Sequence, residues 1–322
     1  MNIQNGQPLV SIIIPVYNGS NYVKEAIESA LAQTYCNIEI IVVNDGSSDD
    51  GLTEKIALSY GDRIRYIAKE ENGGVSSALN VGIRNMKGEY FSWLSHDDRY
   101  KPEKIASQVE LLTSSKSDRL VAICDYCCIN ASSKPLSDIH KFRFENGKTY
   151  DWGIPLNAVF ERGSLHGCSL MIPKKAFDEC GVFDEKMRYC QDTQMWAMIF
   201  IKGYSIIAAD GKFVEARVHD KQLTQTGKSI FYSDCILMAD KLLPDLLRVS
   251  DKKNNYLYVF AKFNAKHNSE ATVEKCIEYA KRKKLFSVFN ILNLKILTSY
   301  GKIRPFIRKM YYSVVRKVKT QG

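Results

Sequence analysis

Short apolar runs alternate with amphipathic stretches through the first half of the chain. Leu9 to Ile14 and Ile38 to Val43 have the length and the β-branched content of buried strands. Between them, the segment from Tyr22 to Gln33 has apolar residues at the spacing of one helix face, namely Val23, Ala26, Ile27, Ala30 and Leu31. Strands that alternate with helices predict an α/β fold with a mostly parallel, Rossmann-like sheet flanked by helices.

The alternation of helices and strands continues to residues 95–98, where we expect the functional site. A helix over Val75 to Asn85 precedes a strand over Tyr90 to Leu94, and Ser95-His96-Asp97-Asp98 follows that strand directly. Ligands in open α/β sheets bind beyond the carboxyl ends of the strands. Further strands and helices are predicted near Pro102 to Leu112, Leu120 to Asp125, Cys168 to Ile172 and Thr193 to Ile201.

Charge divides the chain into two unequal parts. The net charge is +9 over 322 residues, yet residues 281–319 contain twelve Lys or Arg and no Asp or Glu. The first 280 residues therefore hold 33 basic and 36 acidic side chains. We predict a catalytic domain over residues 1–222 and a helical extension with a basic amphipathic tail over residues 223–322.

We expect neither a bilayer-spanning segment nor a secretory leader from this sequence. No stretch of about 18 uncharged apolar residues occurs, and the N-terminus lacks the basic and apolar regions of a signal peptide. A cytoplasmic location is expected. The nine cysteines show no framework spacing, which favours reduced thiols, and Cys124, Cys127 and Cys128 lack the second ligand pair of a zinc site.

Two polar turns follow the first two predicted strands, one over residues 15–19 and one over residues 44–49. Asp45 at such a point can accept hydrogen bonds from a ribose or a base, and Tyr17 can stack on a base. Asn18 lies in the same turn as Tyr17. Ordinary turn and cap chemistry is the alternative for either turn alone, whereas two turns on neighbouring strands favour a nucleotide site.

The chain lacks a Gly-rich phosphate fingerprint and a P-loop lysine, so a diphosphate needs another partner. A divalent cation, Mn²⁺ or Mg²⁺, is the simplest one, and Asp97 and Asp98 supply hard oxygen ligands. Solvated turn acids are the alternative for this pair. His219, after the last strand-like segment, is a candidate for metal or phosphate contact, and His96 neighbours the carboxylates.

Asp192 stands near the start of a predicted helix. An N-cap carboxylate is one interpretation, and a general base that deprotonates an acceptor hydroxyl is the other.

Together these segments resemble glycosyltransferase family 2, the inverting enzymes with the GT-A fold, over roughly residues 8–222. Residues 10–18, Val-Ser-Ile-Ile-Ile-Pro-Val-Tyr-Asn, look like the family's opening strand and turn. Residues 39–47, Glu-Ile-Ile-Val-Val-Asn-Asp-Gly-Ser, look like its second nucleotide-contacting strand. The resemblance implies that Pro15, Tyr17 and Asp45 contact the base and ribose.

Motifs later in the chain also resemble those of the family. Residues 72–75 and 78–82 are similar to the family's Asn-x-Gly and Ala-x-Asn-x-Gly signatures, so Asn72, Gly73 and Asn80 would shape the donor pocket. Residues 95–98 occupy the place of the Asp-x-Asp motif, with Ser95 at its first Asp, which leaves Asp97 as the main metal ligand.

The catalytic and acceptor segments are similar to the family's as well. Cys190-Gln191-Asp192 matches its Glu-Asp motif with Gln first, and Asp192 would be the base. His166 and Gly167 lie in a segment that would line the acceptor side. Gln191 would also lie on the acceptor side. Residues 217–219 resemble a late basic segment near the diphosphate. Direct displacement at the anomeric carbon, with one inversion, is what the resemblance implies.

The tail predicts a membrane partner. From Ile303 to Val318 apolar residues recur at helical spacing with Lys and Arg between them, and Leu285 to Ile296 shows a similar pattern. Such a helix can bind an anionic leaflet peripherally, at the inner face of the cell membrane, without spanning it. Packing on the body is the alternative, and nucleic acid is not the expected partner.

The sequence therefore predicts a hexosyltransferase that moves a sugar from a nucleotide-diphosphate donor, by the resemblance a UDP-sugar, to a glycan or lipid-linked saccharide in surface polysaccharide synthesis. The rival functions are a nucleotidyltransferase and a nonenzymatic polyanion- or membrane-binding protein. The first needs an early basic phosphate-activating segment that the chain lacks. The second would show salt-dependent DNA binding and no donor binding.

Overall fold

The computed structural model describes residues 6–136, 144–160, 165–220, 228–267 and 269–300. The chain divides into two compact units, Met1–Gly227 and Lys228–Gly322. The predicted domain boundary after residue 222 lies outside the described residues and stays a prediction.

Nine strands of the described residues form one sheet in the first unit. They are β1 (Val10–Val16), β2 (Ile38–Asn44), β3 (Arg65–Ala68), β4 (Tyr90–Trp93), β5 (Arg99–Tyr100), β6 (Leu120–Asn130), β7 (Thr149–Tyr150), β8 (Leu170–Pro173) and β9 (Ser205–Val218). The flanking helices are α1 (Val23–Leu31), α2 (Leu52–Leu58), α3 (Val75–Asn85), α4 (Lys104–Ser114), α5 (Gly153–Val159), α6 (Lys174–Cys180) and α7 (Gln191–Ile201).

The strand order is β3-β2-β1-β4-β8-β6-β9-β5, and β7 pairs with β9. As predicted, β3, β2, β1 and β4 are parallel, and β6 is parallel to β9. The α/β prediction is confirmed. The pairings of β8 with β4 and β6, and of β5 and β7 with β9, are antiparallel, which the local apolar pattern does not distinguish from parallel pairing.

The centre of the sheet explains the uninterrupted apolar runs. Every residue of β1 is buried, because β2 and β4 flank it and the helices α1 and α3 pack against it. At Gly82 an added Cβ would collide with the side chain of Ile13, so the glycine lets α3 lie directly on β1. The carboxyl ends of β1, β2 and β4 consequently meet at one edge.

One strand, β6, is longer than predicted. The strand expected over Leu120 to Asp125 continues to Asn130, since β9 pairs with it along this length through a register irregularity at Asp125. The half-buried residues from Asp125 to Cys128 break the apolar run that would have marked a strand. This pairing places the ends of β6 and β9 side by side.

The second unit is helical, in agreement with the predicted extension. Its helices are α8 (Lys228–Val249), α9 (Tyr256–Lys266) and α10 (Glu270–Arg282), and residues 288–300 are also helical. Asn255 caps α9 by accepting a hydrogen bond from the backbone N–H of Tyr258 at 3.1 Å. No helix among the described residues has both the length and the apolar character to span a membrane. The amphipathic pattern over Ile303 to Val318 lies outside the described residues.

A fully buried lysine supports the turn that follows β4. Lys104 donates hydrogen bonds to Ser92 Oγ and Gln108 Oε1, both at 2.9 Å, and its Nζ lies 4.2 Å from the centre of the Tyr100 ring. The Tyr100 hydroxyl donates in turn to the carbonyl oxygen of Trp93 at 2.5 Å. These contacts join β4, β5 and α4, the elements that precede and follow residues 95–98 in the sequence.

Burial lowers the pKa of Lys104 to about 8. Between about pH 8 and 10 the unfolded chain binds this proton and the folded chain does not, so the lysine's contribution to stability rises with pH. Relative to Lys104→Met, the wild-type free energy of unfolding should therefore increase by about 1.4 kcal/mol per pH unit across this window. Urea denaturation at several pH values measures it. The exposed Lys116→Met is the control, and parallel curves for wild type and Lys104→Met would contradict the assignment.

Candidate functional site

Asp97 and His219 are 122 positions apart in sequence and in contact in the fold. Asp97 follows β4 and His219 follows β9, and the His219 Nε2 lies 3.1 Å from the Asp97 Oδ2. Both side chains keep a small exposed fraction. The antiparallel insertion of β8 and the parallel pairing of β6 with β9 bring these two strand ends together.

Asp98 points into the protein instead. Its Oδ1 accepts the backbone N–H of Arg217 at 2.8 Å, and its Oδ2 accepts the Cys168 thiol at 3.3 Å. Burial, followed by the neighbouring Asp97 charge, raises the pKa of Asp98 to about 8. His166 Nε2 lies 3.8 Å from Asp98. Asp97 and Asp98 are adjacent in sequence, yet their carboxyl groups have different partners.

A divalent cation fits Asp97 and His219. Neighbouring ligands on an octahedral ion with bonds of about 2.1 Å lie roughly 3 Å apart, which matches the 3.1 Å between the two side-chain atoms. A carboxylate with an imidazole suits Mn²⁺, and the carboxylate alone suits Mg²⁺. In a second cluster, ligand atoms of Asp98, His166 and Cys168 lie within 4.8 Å of one another. Burial raises the pKa of the Cys168 thiol well above its usual value, and a protonated soft ligand suits neither ion.

The turns after β1 and β2 bind each other, as expected from neighbouring strands. Asn18 accepts the backbone N–H of Ser48 at 2.7 Å, and its own N–H donates to Ser47 Oγ at 2.9 Å. Tyr17 is 42% exposed beside them, whereas Pro15 is buried within β1. A Cβ added to Gly19 would meet the His96 ring at 2.6 Å. The turn predicted to bind the donor thus touches the segment that contains Asp97.

Asp45 is buried and fully engaged. It pairs with Lys69 and accepts the backbone N–H groups of Gly73 at 3.1 Å and Gly74 at 2.7 Å. Its carboxylate therefore ties the turn after β2 to residues 72–74, while Asn72 itself is exposed. Direct contact of Asp45, Asn72 or Gly73 with a donor stays a prediction.

The amide of Asn80 links α3 to the segment before α7. It donates to the carbonyl of Phe183 at 2.8 Å and to Glu185 at 2.9 Å, and it accepts the N–H of Phe183 at 2.9 Å. At the start of α3, a Cβ on Gly74 would collide with the guanidinium of Arg188. Asn80 can therefore shape the donor pocket only indirectly, through the segment that leads to Asp192.

Asp192 lies in the first turn of α7. Its Oδ1 accepts the N–H of Thr193 at 2.6 Å, and burial raises the pKa of its carboxyl group despite these hydrogen bonds. A raised pKa is what a carboxylate general base needs. The neighbouring Gln191 is buried, and its Oε1 has no hydrogen-bond partner within the described part of the chain.

His166 and Gly167 lie against aromatic rings. The His166 ring is 4.8 Å from that of Tyr126, with an interplanar angle of 30°. A Cβ on Gly167 would meet the Trp93 ring at 2.6 Å, so only glycine fits there. His166 therefore lies beside Asp98 as well as in the segment predicted to bind the acceptor.

Several residues at this site were not predicted from the sequence. Tyr22, Glu25, Lys69 and Arg188 all contact predicted site segments. In the sequence they are ordinary charged or aromatic residues of helices and loops, and none of them belongs to a motif. Only their long-range partners identify them.

Comparison with known proteins identifies the family. A family model described as glycosyl transferase family 2 matches residues 11–179. An uncharacterized glycosyltransferase of Rickettsia typhi is 50% identical over 219 residues, which cover 68% of this chain and 67% of that protein. A Rickettsia felis relative is 49% identical, and its match covers 67% of this chain but only 35% of the longer relative.

Solved structures show the same fold at low identity. Staphylococcus aureus TarS 1–349 in complex with UDP-GlcNAc has a TM-score of 0.68 at 16% identity, and the match covers 91% of each chain. The mannosyltransferase PcManGT from Pyrobaculum calidifontis, in complex with GDP-Man and Mn²⁺, has a TM-score of 0.58 at 16% identity, covering 99% of this chain and 88% of that one. The GT-A fold predicted from the sequence is confirmed.

Proposed function

The chain belongs to glycosyl transferase family 2 and is a glycosyltransferase, and on that premise we propose that it transfers a sugar from a UDP-sugar to a saccharide acceptor with inversion, assisted by Mn²⁺ or Mg²⁺. The observation that carries the proposal is the contact between Asp97 and His219 beside the turn formed by residues 15–19. Structural neighbours that bind UDP-GlcNAc or GDP-Man with Mn²⁺ support a nucleotide-sugar donor.

Donor binding involves the edge where β1, β2 and β4 end. Tyr17 stacks on the base. Asn18, together with the turn after β2 that contains Asp45, shapes the ribose pocket. Asp97 and His219 would hold the cation, while Asp98 supports them through the backbone of Arg217. When bound, the cation stabilises the negative charge of the departing diphosphate.

The transfer itself is one displacement. Asp192 accepts the proton of the acceptor hydroxyl, whose oxygen bonds to the anomeric carbon as the bond from that carbon to the diphosphate breaks. The nucleoside diphosphate leaves from the opposite face, so the configuration inverts. Gln191, His166 and Gly167 lie on the acceptor side in this proposal.

For the acceptor we propose a lipid-linked saccharide of a surface polysaccharide, reached from the inner face of the cell membrane. The helix over residues 288–300 leaves an apolar face open to solvent: Val288 and Phe289 are 75% and 72% exposed, and Leu292, Ile296 and Tyr300 are exposed too. Twelve cations and no acids occupy residues 281–319. Apolar side chains flanked by cations fit an anionic leaflet.

The cation proposal is tested with Asp97→Asn. Removing the carboxylate charge should lower Mn²⁺-stimulated transfer about a hundredfold or more, because charge stabilisation of the leaving group is lost. Release of UDP from a panel of UDP-sugars measures transfer. Asp62→Asn, an exposed surface change, is the control and should keep full activity. Undiminished wild-type activity in excess chelator would contradict the cation's role.

The general base is tested with Asp192→Asn, which keeps the shape and removes the basicity. Turnover should fall about a hundredfold or more while UDP affinity stays within about twofold. Since the base acts when deprotonated, wild-type turnover should also fall as the pH drops through its raised pKa. Asp178→Asn, exposed on α6, serves as the control. Near-normal turnover of Asp192→Asn would assign the base elsewhere.

Membrane binding is tested in the full chain by replacing Val288, Phe289, Leu292 and Ile296 with Ser. Sedimentation with phosphatidylglycerol vesicles should be lost, whereas wild type should bind them and ignore phosphatidylcholine vesicles. Replacing the exposed Leu52 and Leu58 of α2 with Ser is the matched control. Equal binding by the helix variant and wild type at physiological salt would exclude insertion of this face.

A further inference from the structure

The side chain of Arg217 has no exposed surface, although it is the most basic group at the site. Its Nε donates to the carbonyl oxygen of Asp97 at 2.7 Å, its Nη1 to Ser133 Oγ at 2.8 Å, and its Nη2 to Glu25 Oε2 at 2.9 Å. A buried guanidinium is tolerated only when its donors are satisfied in this way. A charge enclosed so completely does not reach a diphosphate.

Arg217 instead binds the turn of residues 95–98 through two of its groups. Besides the guanidinium contact with Asp97, its backbone N–H donates to the Asp98 carboxyl group. His219, the partner of Asp97, follows Arg217 by two residues, just after the end of β9. Arg217 therefore fixes the distance between the two backbone segments from which the candidate ligands project.

Tyr22 extends this arrangement to the imidazole. The guanidinium carbon of Arg217 lies 4.3 Å from the centre of the Tyr22 ring, and the ring centres of Tyr22 and His219 are 5.4 Å apart. The face of an aromatic ring attracts a guanidinium group, so the Tyr22 ring connects Arg217 to His219. Tyr22 immediately precedes α1, only a few residues after the turn predicted to bind the donor.

Glu25, in the first turn of α1, supplies the opposing charge. Burial acts to raise the pKa of this carboxyl group, but the hydrogen bond from Ser133 and the charges of Arg217 and Arg99 lower it overall. Glu25 is thus a carboxylate at neutral pH, shared between Arg217 at 2.9 Å and Arg99 at 3.0 Å. Arg99 binds Glu25 and Glu215 through its guanidinium group, whereas Arg217 binds Glu25 and Asp97, which makes Arg99 a matched control.

We propose that Tyr22, Glu25 and Arg217 form a positioning clamp that holds Asp97 and His219 at the spacing a divalent cation requires. This inference rests on the proposed cation site. None of the three residues touches substrate in the proposal; each acts through the two ligands. Lysine cannot replace Arg217, because a single ammonium group lacks the planar fork that reaches several acceptors at once.

The test measures Mn²⁺ binding directly, by electron paramagnetic resonance of the full chain with UDP present. Wild type comes first: absence of UDP-dependent Mn²⁺ binding would contradict the proposed cation site itself. Given wild-type binding, Arg217→Lys should raise the Mn²⁺ Kd about tenfold or more, and Tyr22→Leu about threefold or more. Metal-free UDP affinity should change less than about twofold, a pattern that general destabilisation would not produce.

Arg99→Lys should bind Mn²⁺ as wild type does, even though it also disturbs Glu25. Melting temperatures identify variants that fail to fold; if Arg217→Lys does, Tyr22→Leu and Glu25→Gln decide the question, since both side chains are partly exposed. Wild-type Mn²⁺ affinity in the folded variants, or equal loss in Arg99→Lys, would overturn the clamp while leaving the cation site intact.

Discussion

A guanidinium group cannot be buried unless its hydrogen-bond donors find acceptors, and at this site that constraint falls on Arg217. Its acceptors come from the turn after β4, the end of β6, the loop that follows β6, and α1. No local feature of β9 would bring these four segments together. Satisfying one buried charge therefore fixes the edge of the sheet on which Asp97 and His219 meet.

The remaining parts of the site are also connected by polar bonds within the protein. Asp45 joins the turn after β2 to the start of α3, and Asn80 joins α3 to the segment that ends at Asp192. The residues predicted to bind donor and those predicted to deprotonate the acceptor are thus linked through a single helix. Such internal bonding orients side chains before a ligand arrives, which reduces the reorganisation that catalysis would otherwise require.

Local sequence patterns predict the first half of the fold well, because each crossover helix and each buried strand has its own periodicity. The pairing of β8 between β4 and β6 is different, since antiparallel and parallel neighbours look alike in a short apolar run. Placing Asp97 beside His219 depends on that pairing, so the sequence identifies each as a candidate ligand without showing that the two meet. The inward turn of Asp98 toward Cys168 and the burial of Arg217 have no local signal at all.

The central claim is that a divalent cation binds between Asp97 and His219 beside the nucleotide. A crystal of the protein grown with UDP and Mn²⁺, measured at the manganese absorption edge, locates the ion by its anomalous scattering. The account predicts one strong peak bonded to Asp97 Oδ2, His219 Nε2 and the diphosphate oxygens. A peak among Asp98, His166 and Cys168, or UDP bound in this pocket without manganese, would contradict it.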